Sequence, residues 1–331
     1  MFNKSMKPYD KLRKLLENDL SKVGELIKLR MQSKHAPLIS DISSHLISSG
    51  GKRLRPLLTL ASAKLCGYRG SHHIQLAAIV EFIHTATLLH DDVVDESDQR
   101  RGVSSVNILW DNSSSVLVGD YLFARSFQLM TEVGRLDILE ALSDASAKIA
   151  EGEVLQLTAS ANISTSEDLY YKIVEGKTAA LFSASMKVGG MLSNAQDDII
   201  EALSSYGNAL GISFQIVDDI LDFVGKETQI GKSLGDDFRE RKLTLPIIDS
   251  ISKADDTEIK FWKRTIEDGD QITSDFDRAL KILNRNSSMD YSKRIAINWS
   301  KNAKKSLAAL PNSSIKTVLE ELADYVVFRV S

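Results

Sequence analysis

Two long apolar stretches of helical period each run into the same acidic signature, Asp-Asp-x-x-Asp. The first, Phe82-Ile83-His84-Thr85-Ala86-Thr87-Leu88-Leu89-His90, ends in Asp91, Asp92 and Asp95; the second carries Asp218, Asp219 and Asp222. Residues four apart share a helix face, so Asp91 pairs with Asp95 and Asp218 with Asp222. Two carboxylates about 4 Å apart repel by roughly 4 kcal/mol at an effective dielectric near 20. The negative end of a helix dipole adds to that cost. Leu88, Leu89, Val93 and Val94 flank the first cluster, and Phe214, Ile216, Val217, Ile220, Leu221 and Phe223 flank the second. Helices with such flanks are largely buried, so the acids face an interior cavity rather than bulk water. A single acidic triplet reads as a solvated helix end. Two buried copies read as a metal site, and all-oxygen ligands suit Mg2+.

The rest of the chain has the same helical character. It has only five prolines in 331 residues, and its β-branched residues fall in helical phase rather than alternation. The periodicity predicts helices over roughly 8–31, 37–48, 56–66, 72–95, 115–133, 136–160, 166–192, 197–224, 242–252, 257–267, 273–285, 289–309 and 313–328. Pro56 suits a helix first turn, and Ser166 before Glu167 and Asp168 suits an N-cap. No loop is long or polar enough to be a linker, so the expectation is one all-α domain spanning residues 1–331. A net charge of −4 without a basic, aromatic-interleaved run argues against nucleic-acid binding. The single cysteine, Cys66, excludes an internal disulfide and fits a reducing compartment. No apolar run reaches the length of a membrane span, and the N-terminus lacks a signal-peptide core. The expectation is a soluble, cytoplasmic protein.

Basic residues are interleaved with the acids. Gly50-Gly51-Lys52-Arg53-Leu54-Arg55-Pro56 sets three cations in a glycine-started turn that opens a helix, a favourable place for an anion. Arg100-Arg101-Gly102 follows the first acidic cluster, and Lys177-Thr178, Lys232 and Lys242 lie near or after the later helices. Singly these are ordinary surface charges. Beside two metal sites they read as the grip on a multiply charged anion, and a diphosphate meets that demand. Rival motifs fail. Gly176-Lys177-Thr178 ends like a phosphate-binding loop, but Tyr171 stands where the upstream glycine is required. Dinucleotide, nucleophile-elbow and zinc spacings are missing. His84, two turns before Asp91 on the same face, is open to either a core or a binding role.

With these pieces in place the chain resembles the trans-polyprenyl diphosphate synthases, and most closely those making octaprenyl to decaprenyl chains. The resemblance rests on residues 50–56, Glu81 to Asp95, Arg100-Arg101-Gly102, Gly176-Lys177-Thr178, Gln215 to Asp222 and Gly235-Asp236-Asp237-Phe238-Arg239. It implies an all-α bundle around a deep central cavity, usually a homodimer. It also implies Mg2+, three ions per site with diphosphate bound. By position, Asp91, Asp95 and Asp218 would be the strongest ligands, with Asp92, Asp219 and Asp222 supporting them directly or through water. Gly51, Lys52, Arg55, His84 and Arg101 would hold isopentenyl diphosphate. Arg100, Lys177, Gln215, Lys232 and Lys242 would hold or flank an allylic diphosphate (farnesyl or geranylgeranyl), with Thr178 near the reacting carbon. Asp91, Asp95, Lys177 and Asp218 would carry the catalysis. Two departures stand out: Val103-Ser104-Ser105 replaces a Lys-Pro-Thr-like stretch, and Arg241 precedes Lys242 where glycine is common.

Product length is a question about the helix below the first aspartates. Ala86 and Thr87 occupy positions where short-chain members of the family resemble each other in carrying bulky aromatics, so small residues there leave a tunnel open. The resemblance therefore points to a long quinone side chain as product, whose release involves transient membrane contact. A geranylgeranyl synthase, a non-catalytic regulatory subunit, a terpene cyclase and a general metal-binding helical protein are the alternatives. The second aspartate triplet and the Gly-Gly-Lys-Arg turn speak against a cyclase, Lys177 with both triplets against a regulatory subunit, and the arginines against simple metal binding.

Overall fold

A computed structural model describes residues 6–48, 50–100, 102–225 and 234–329. The chain is all-α. Its helices are α1 (Pro8–Leu15), α2 (Glu17–Arg30), α3 (Pro37–Ser48), α4 (Leu54–Leu65), α5 (His72–Val94), α6 (Val106–Leu109), α7 (Asn112–Val133), α8 (Leu136–Ala159) and α9 (Glu167–Val174). They continue with α10 (Ala180–Leu192), α11 (Asp197–Val224), α12 (Asp236–Arg239), α13 (Leu245–Ser252), α14 (Asp256–Trp262), α15 (Asp275–Arg285), α16 (Ser288–Ser306) and α17 (Ser314–Phe328). The one ladder among the described residues is a two-stranded antiparallel hairpin, β1 (Gln99–Arg100) and β2 (Val103–Ser104), in register Gln99 to Ser104. The hairpin lies in the stretch Glu96 to Ser105 that reads as loop, α12 begins within the loop expected over Gly225 to Asp237, and α6 lies in a stretch where no helix is predicted. The predicted helix over 8–31 is interrupted at Leu16, and those over 166–192 and 257–267 contain π-turns, Glu175–Ala179 and Lys263–Glu267. Ser166 caps α9 as its position predicts, accepting from the Leu169 N–H at 3.2 Å. No helix among the described residues is long and apolar enough to cross a membrane.

The chain divides into two compact units. The first comprises Met1–Ser146, Leu181–Gly207 and Ser306–Leu322. Its core is α5, buried on most of its circumference from Leu76 to Leu89, with α7 packed along it. Close approach needs small residues at the crossings. A Cβ on Gly119 would lie 2.3 Å from the His90 ring, and one on Gly189 would lie 1.9 Å from Ser62 Oγ. Ser115 adds a hydrogen bond from its Oγ to the Leu89 carbonyl at 2.8 Å.

The second unit comprises Ala147–Ala180, Asn208–Lys305 and Ala323–Ser331. Phe238, Trp262, Phe223 and Phe276 form its aromatic core, with Phe223 and Phe276 stacked at 6.0 Å. Arg241, where the family prefers glycine, has φ 58°. A left-handed residue with a Cβ costs roughly 1–2 kcal/mol. Here the guanidinium offsets that cost by donating to the Glu267 carbonyl at 3.2 Å, and the Arg241 carbonyl accepts from Ala161 N–H at 3.1 Å. The turn keeps the conformation glycine would adopt.

Candidate active site

The first acidic cluster closes α5. Ser97 N–H bonds the Asp92 carbonyl at 2.9 Å, Glu96 N–H bonds the Val93 carbonyl at 3.4 Å, and Glu96 takes φ 49°. That arrangement is a Schellman cap with glutamate in the usual glycine position, and it fixes the last turn of the helix. Within that turn the three acids part company. Asp91 and Asp95 are half-buried, whereas Asp92 is 3% exposed and turned inward. Arg100 grips it: Nε lies 2.8 and 3.0 Å from the two oxygens and Nη2 lies 2.6 Å from Oδ1. A buried carboxylate held bidentately by guanidinium braces the loop. Arg100, expected to hold or flank an allylic diphosphate, thus has its fork committed to Asp92. The Val103-Ser104-Ser105 departure is accommodated in the same loop. Ser105 Oγ donates to the Ser97 carbonyl at 2.5 Å, and His45 Nε2 donates to the Ser104 carbonyl at 3.1 Å.

The basic turn has the backbone an anion site requires. Gly50, Gly51 and Arg53 have φ of 69°, 155° and 47°. The Tyr9 hydroxyl donates to the Lys52 carbonyl. Gly24 on α2 leaves room for the Arg53 guanidinium, since a Cβ there would sit 3.0 Å from Nη1. Arg55 points the other way, donating to His84 Nε2 at 3.1 Å with its guanidinium 4.5 Å from the centre of the Phe182 ring. A cavity of about 750 Å³, open mouth included, is lined by Gly50, Arg53, His84 and Arg100 on its polar side. Met31, Leu88 and Val106 are among its apolar residues. It gathers His84, Asp92 and Arg100 from the expected set and adds Arg53 and His45, which the sequence motifs did not assign to the site. Arg101 and Lys232 lie outside the described residues.

The second cluster lies in the C-terminal half of α11. Asp218 is partly exposed and carries a cation, with Arg329 Nη1 at 3.0 Å. Asp219 is 3% exposed, with Tyr170 Oη at 2.6 Å from one oxygen and Gln215 Nε2 at 2.8 Å from the other. Asp222 is buried and accepts from Asp237 N–H at 3.2 Å. Burial, followed by the charge of Asp237, pushes the Asp219 carboxyl up to about 7 and the Asp222 carboxyl up to about 8. Asp237 comes from the Gly-Asp-Asp motif (235–237), which marked the family but was assigned no role in the site. Tyr170, in contrast, belongs to no motif.

Beside these acids, the π-turn presents Lys177 and Thr178. Lys177 Nζ pairs with Glu153 at 2.7 Å, and Thr178 Oγ1 donates to Gln215 Oε1 at 2.7 Å. Lys242 pairs with Glu240 at 2.5 Å. The π-turn is pressed onto α8 through two glycines. A Cβ on Gly152 would lie 2.5 Å from the Lys177 backbone nitrogen, and one on Gly176 would lie 2.7 Å from the Lys148 carbonyl. Backbone has little freedom to retreat. Gly152→Ala is expected to destabilise the protein by about 1–3 kcal/mol, read as a lower urea midpoint at unchanged slope. An unshifted midpoint would mean the two backbones are not in contact.

Among the described residues, no group of three or more His, Cys, Asp or Glu side chains gathers closely enough to cage a metal by itself. The donors fit Mg2+ in a different way. That ion keeps several waters and takes one or two carboxylates together with substrate phosphate oxygens. Asp91 and Asp95 offer a carboxylate pair. Asp218 already attracts a guanidinium, and Asp219 and Asp222 both feel the charge of Asp237.

Solved structures show the same fold. A decaprenyl diphosphate synthase from Rhodobacter capsulatus is 57% identical with TM-score 0.94, covering 98% of this chain and 99% of its own. A polyprenyl synthase from Caulobacter crescentus CB15, complexed with calcium and isoprenyl diphosphate, is 45% identical with TM-score 0.93, covering 96% and 97%. Fold and donor set together define an all-helical isoprenoid synthase. Residues 36–283 match the Polyprenyl synthetase family. The octaprenyl diphosphate synthase of Escherichia coli (strain K12) is 37% identical over 320 residues, 97% of this chain and 98% of the relative. The chain belongs to the polyprenyl synthetase family and is a prenyltransferase, a polyprenyl diphosphate synthase.

Proposed function

We propose that this chain is a long-chain trans-polyprenyl diphosphate synthase that adds isopentenyl diphosphate stepwise to a farnesyl or geranylgeranyl diphosphate primer. The product would be an octaprenyl to decaprenyl chain destined for a quinone. The supporting observation is the joint presence of both acidic triplets, the left-handed basic turn and the Lys177-Thr178 π-turn in a chain with small residues at Ala86 and Thr87. The similarity to octaprenyl, nonaprenyl and decaprenyl synthases at 37% to 57% identity favours the long product. We take residues 1–331 as one polyprenyl synthase domain. We also take the enzyme to be a cytoplasmic homodimer that touches a membrane only to release its product. The exposed Val116, Leu117 and Phe127 on one face of α7 suit a second copy.

Asp91, Asp95 and Asp218 would hold Mg2+, with Asp92, Asp219 and Asp222 supporting them directly or through bound water. The bound ions supply positive charge that stabilises a departing diphosphate. The chain's own groups do the remainder. Lys177, steadied by Glu153, lies ready for an allylic diphosphate oxygen, and Thr178 is held next to it by Gln215. Gly51, Lys52, Arg55, His84 and Arg101 would bind isopentenyl diphosphate, whose double bond attacks the allylic carbon as its C–O bond breaks. The proton lost from the new chain goes to the released diphosphate, so no protein base is required. Apolar walls keep water from trapping the cation.

The raised carboxyls give a pH signature. Groups whose folded pKa exceeds the unfolded value stabilise the fold at low pH and lose that contribution as pH rises through the folded pKa. For Asp219 and Asp222 the window runs from about 4 to about 8. Cations favour the ionised forms. The increase in Tm on replacing EDTA by Mg2+ is therefore expected to grow between pH 5.5 and 8.5, and a pH-independent increase would count against metal binding at this cluster.

The direct test incubates purified protein with Mg2+, labelled isopentenyl diphosphate and farnesyl diphosphate, then sizes the dephosphorylated products. A ladder ending at a long polyprenol supports the proposal. A stop at twenty carbons keeps the chemistry and overturns the long product, and no incorporation with either primer overturns both.

A further inference from the structure

Tyr170 is held at 4% exposure in α9, with its ring edge-on to Tyr171 at 5.7 Å. A hydroxyl so deeply placed needs a partner. Tyr170 finds one 49 residues along the chain: it donates to Asp219 Oδ2 at 2.6 Å. Gln215 Nε2 holds the other oxygen, Oδ1, at 2.8 Å. The same amide accepts from Thr178 Oγ1 at 2.7 Å, so one hydrogen-bond chain runs Thr178–Gln215–Asp219–Tyr170. Against an ionised Asp219, whose oxygens only accept, the Tyr170 phenol is the donor, and the Gln215 amide has its oxygen toward Thr178 and its nitrogen toward Asp219.

We infer that Tyr170 is a positioning residue of the second acidic cluster: it locks the Asp219 carboxylate and, through Gln215, keeps the Lys177-Thr178 turn in register with α11. The inference rests on the reading of that cluster as a Mg2+ site. With one donor on each oxygen, Asp219 cannot rotate, yet each oxygen retains a lone pair for a metal-bound water. Asp218 and Asp222 flank it on the same helix, so an unlocked Asp219 would disturb the water shell of an ion held at this cluster. Partners of this kind, one step removed from the metal, typically change metal affinity by 10- to 100-fold when removed. Phenylalanine at 170 keeps the ring and its packing and deletes only the donor. Asp219→Asn removes the charge that the donor serves.

The test is a double-mutant cycle on the full chain, with Mn2+ and inorganic diphosphate as probe and electron paramagnetic resonance of free Mn2+ as readout. Tyr170→Phe is expected to weaken Mn2+ binding roughly tenfold. The apparent Mg2+ requirement should rise in parallel, while KM for isopentenyl diphosphate changes little. In an Asp219→Asn background, Tyr170→Phe should change Mn2+ affinity by less than about twofold, because the two act as one unit. Additive losses in the double variant would overturn the inference. So would unchanged Mn2+ affinity with a lowered Tm, or a Tyr170→Phe protein that no longer unfolds cooperatively, since each assigns Tyr170 to the fold alone. Failure of the unsubstituted enzyme to bind Mn2+ with diphosphate would overturn the metal reading of the cluster itself, and this inference with it.

Discussion

Asp91→Asn is expected to lower kcat by about 10²- to 10³-fold or more while leaving the helical fold and its Tm nearly unchanged. The two side chains are isosteric, and the Schellman cap that closes α5 is built from backbone groups of Asp92, Val93, Glu96 and Ser97, so the helix end does not depend on the Asp91 charge. What is lost is a negative oxygen on the face shared with Asp95, where Mg2+ is proposed to bind. Such a loss falls on the transition state, in which charge accumulates on the leaving diphosphate, so kcat rather than fold stability registers it. Asp92→Asn should behave differently. Asp92 is buried against Arg100, and removing its charge leaves a guanidinium without its bidentate partner. Breaking a buried pair on one side costs about 3–5 kcal/mol. Steady-state kinetics with thermal unfolding on both variants separates the roles. Equal kinetic losses with equal destabilisation would refute the division between outward and inward aspartates.

The second large effect concerns product length. Thr87→Phe is expected to shorten the final polyprenol by several isoprene units with the protein still folded. Thr87 is half-buried on the face that carries His84 and Asp91, and its hydroxyl merely bonds back to the His84 carbonyl at 2.9 Å. Little packing is lost when it is replaced. Ala86, its neighbour, is 0% exposed and packed into the core around α5. A phenylalanine there must displace close-packed neighbours at a cost of typically 1–3 kcal/mol, occasionally more, so Ala86→Phe perturbs the fold before it tests the tunnel. Reversed-phase sizing of radiolabelled products decides the matter. A Thr87→Phe enzyme that makes the parent length would exclude this face of α5 as the wall of the growing chain.

Most of the local architecture was legible in the residues. Helices over 37–48 and 197–224 end where the apolar period and its flanking polar residues predict, because helix limits are set by contacts within a few residues. Ser166 caps its helix for the same reason. The acidic triplets and the basic turn were visible as spacings, which pointed to a divalent cation and a diphosphate, while the resemblance to a family supplied the reaction. Other features depended on distant partners. Nothing in Asp-Asp-x-x-Asp shows that the middle acid turns inward, since that choice belongs to Arg100 in one cluster and to Tyr170 and Gln215 in the other. The π-turn at Glu175–Ala179 reads locally as uninterrupted helix, and it is the pressure of Gly152 against the Lys177 backbone that shows how closely this turn packs on α8. Arg241 keeps a glycine-like conformation because the Glu267 carbonyl and Ala161 hold it. Sequence alone determined which helices form and which charges they carry, because helix formation and charge spacing are short-range. Only the tertiary structure decided which of those charges pair with the protein's own scaffold, Asp92 with Arg100 and Asp219 with Tyr170 and Gln215, because burial and pairing join residues far apart in the chain.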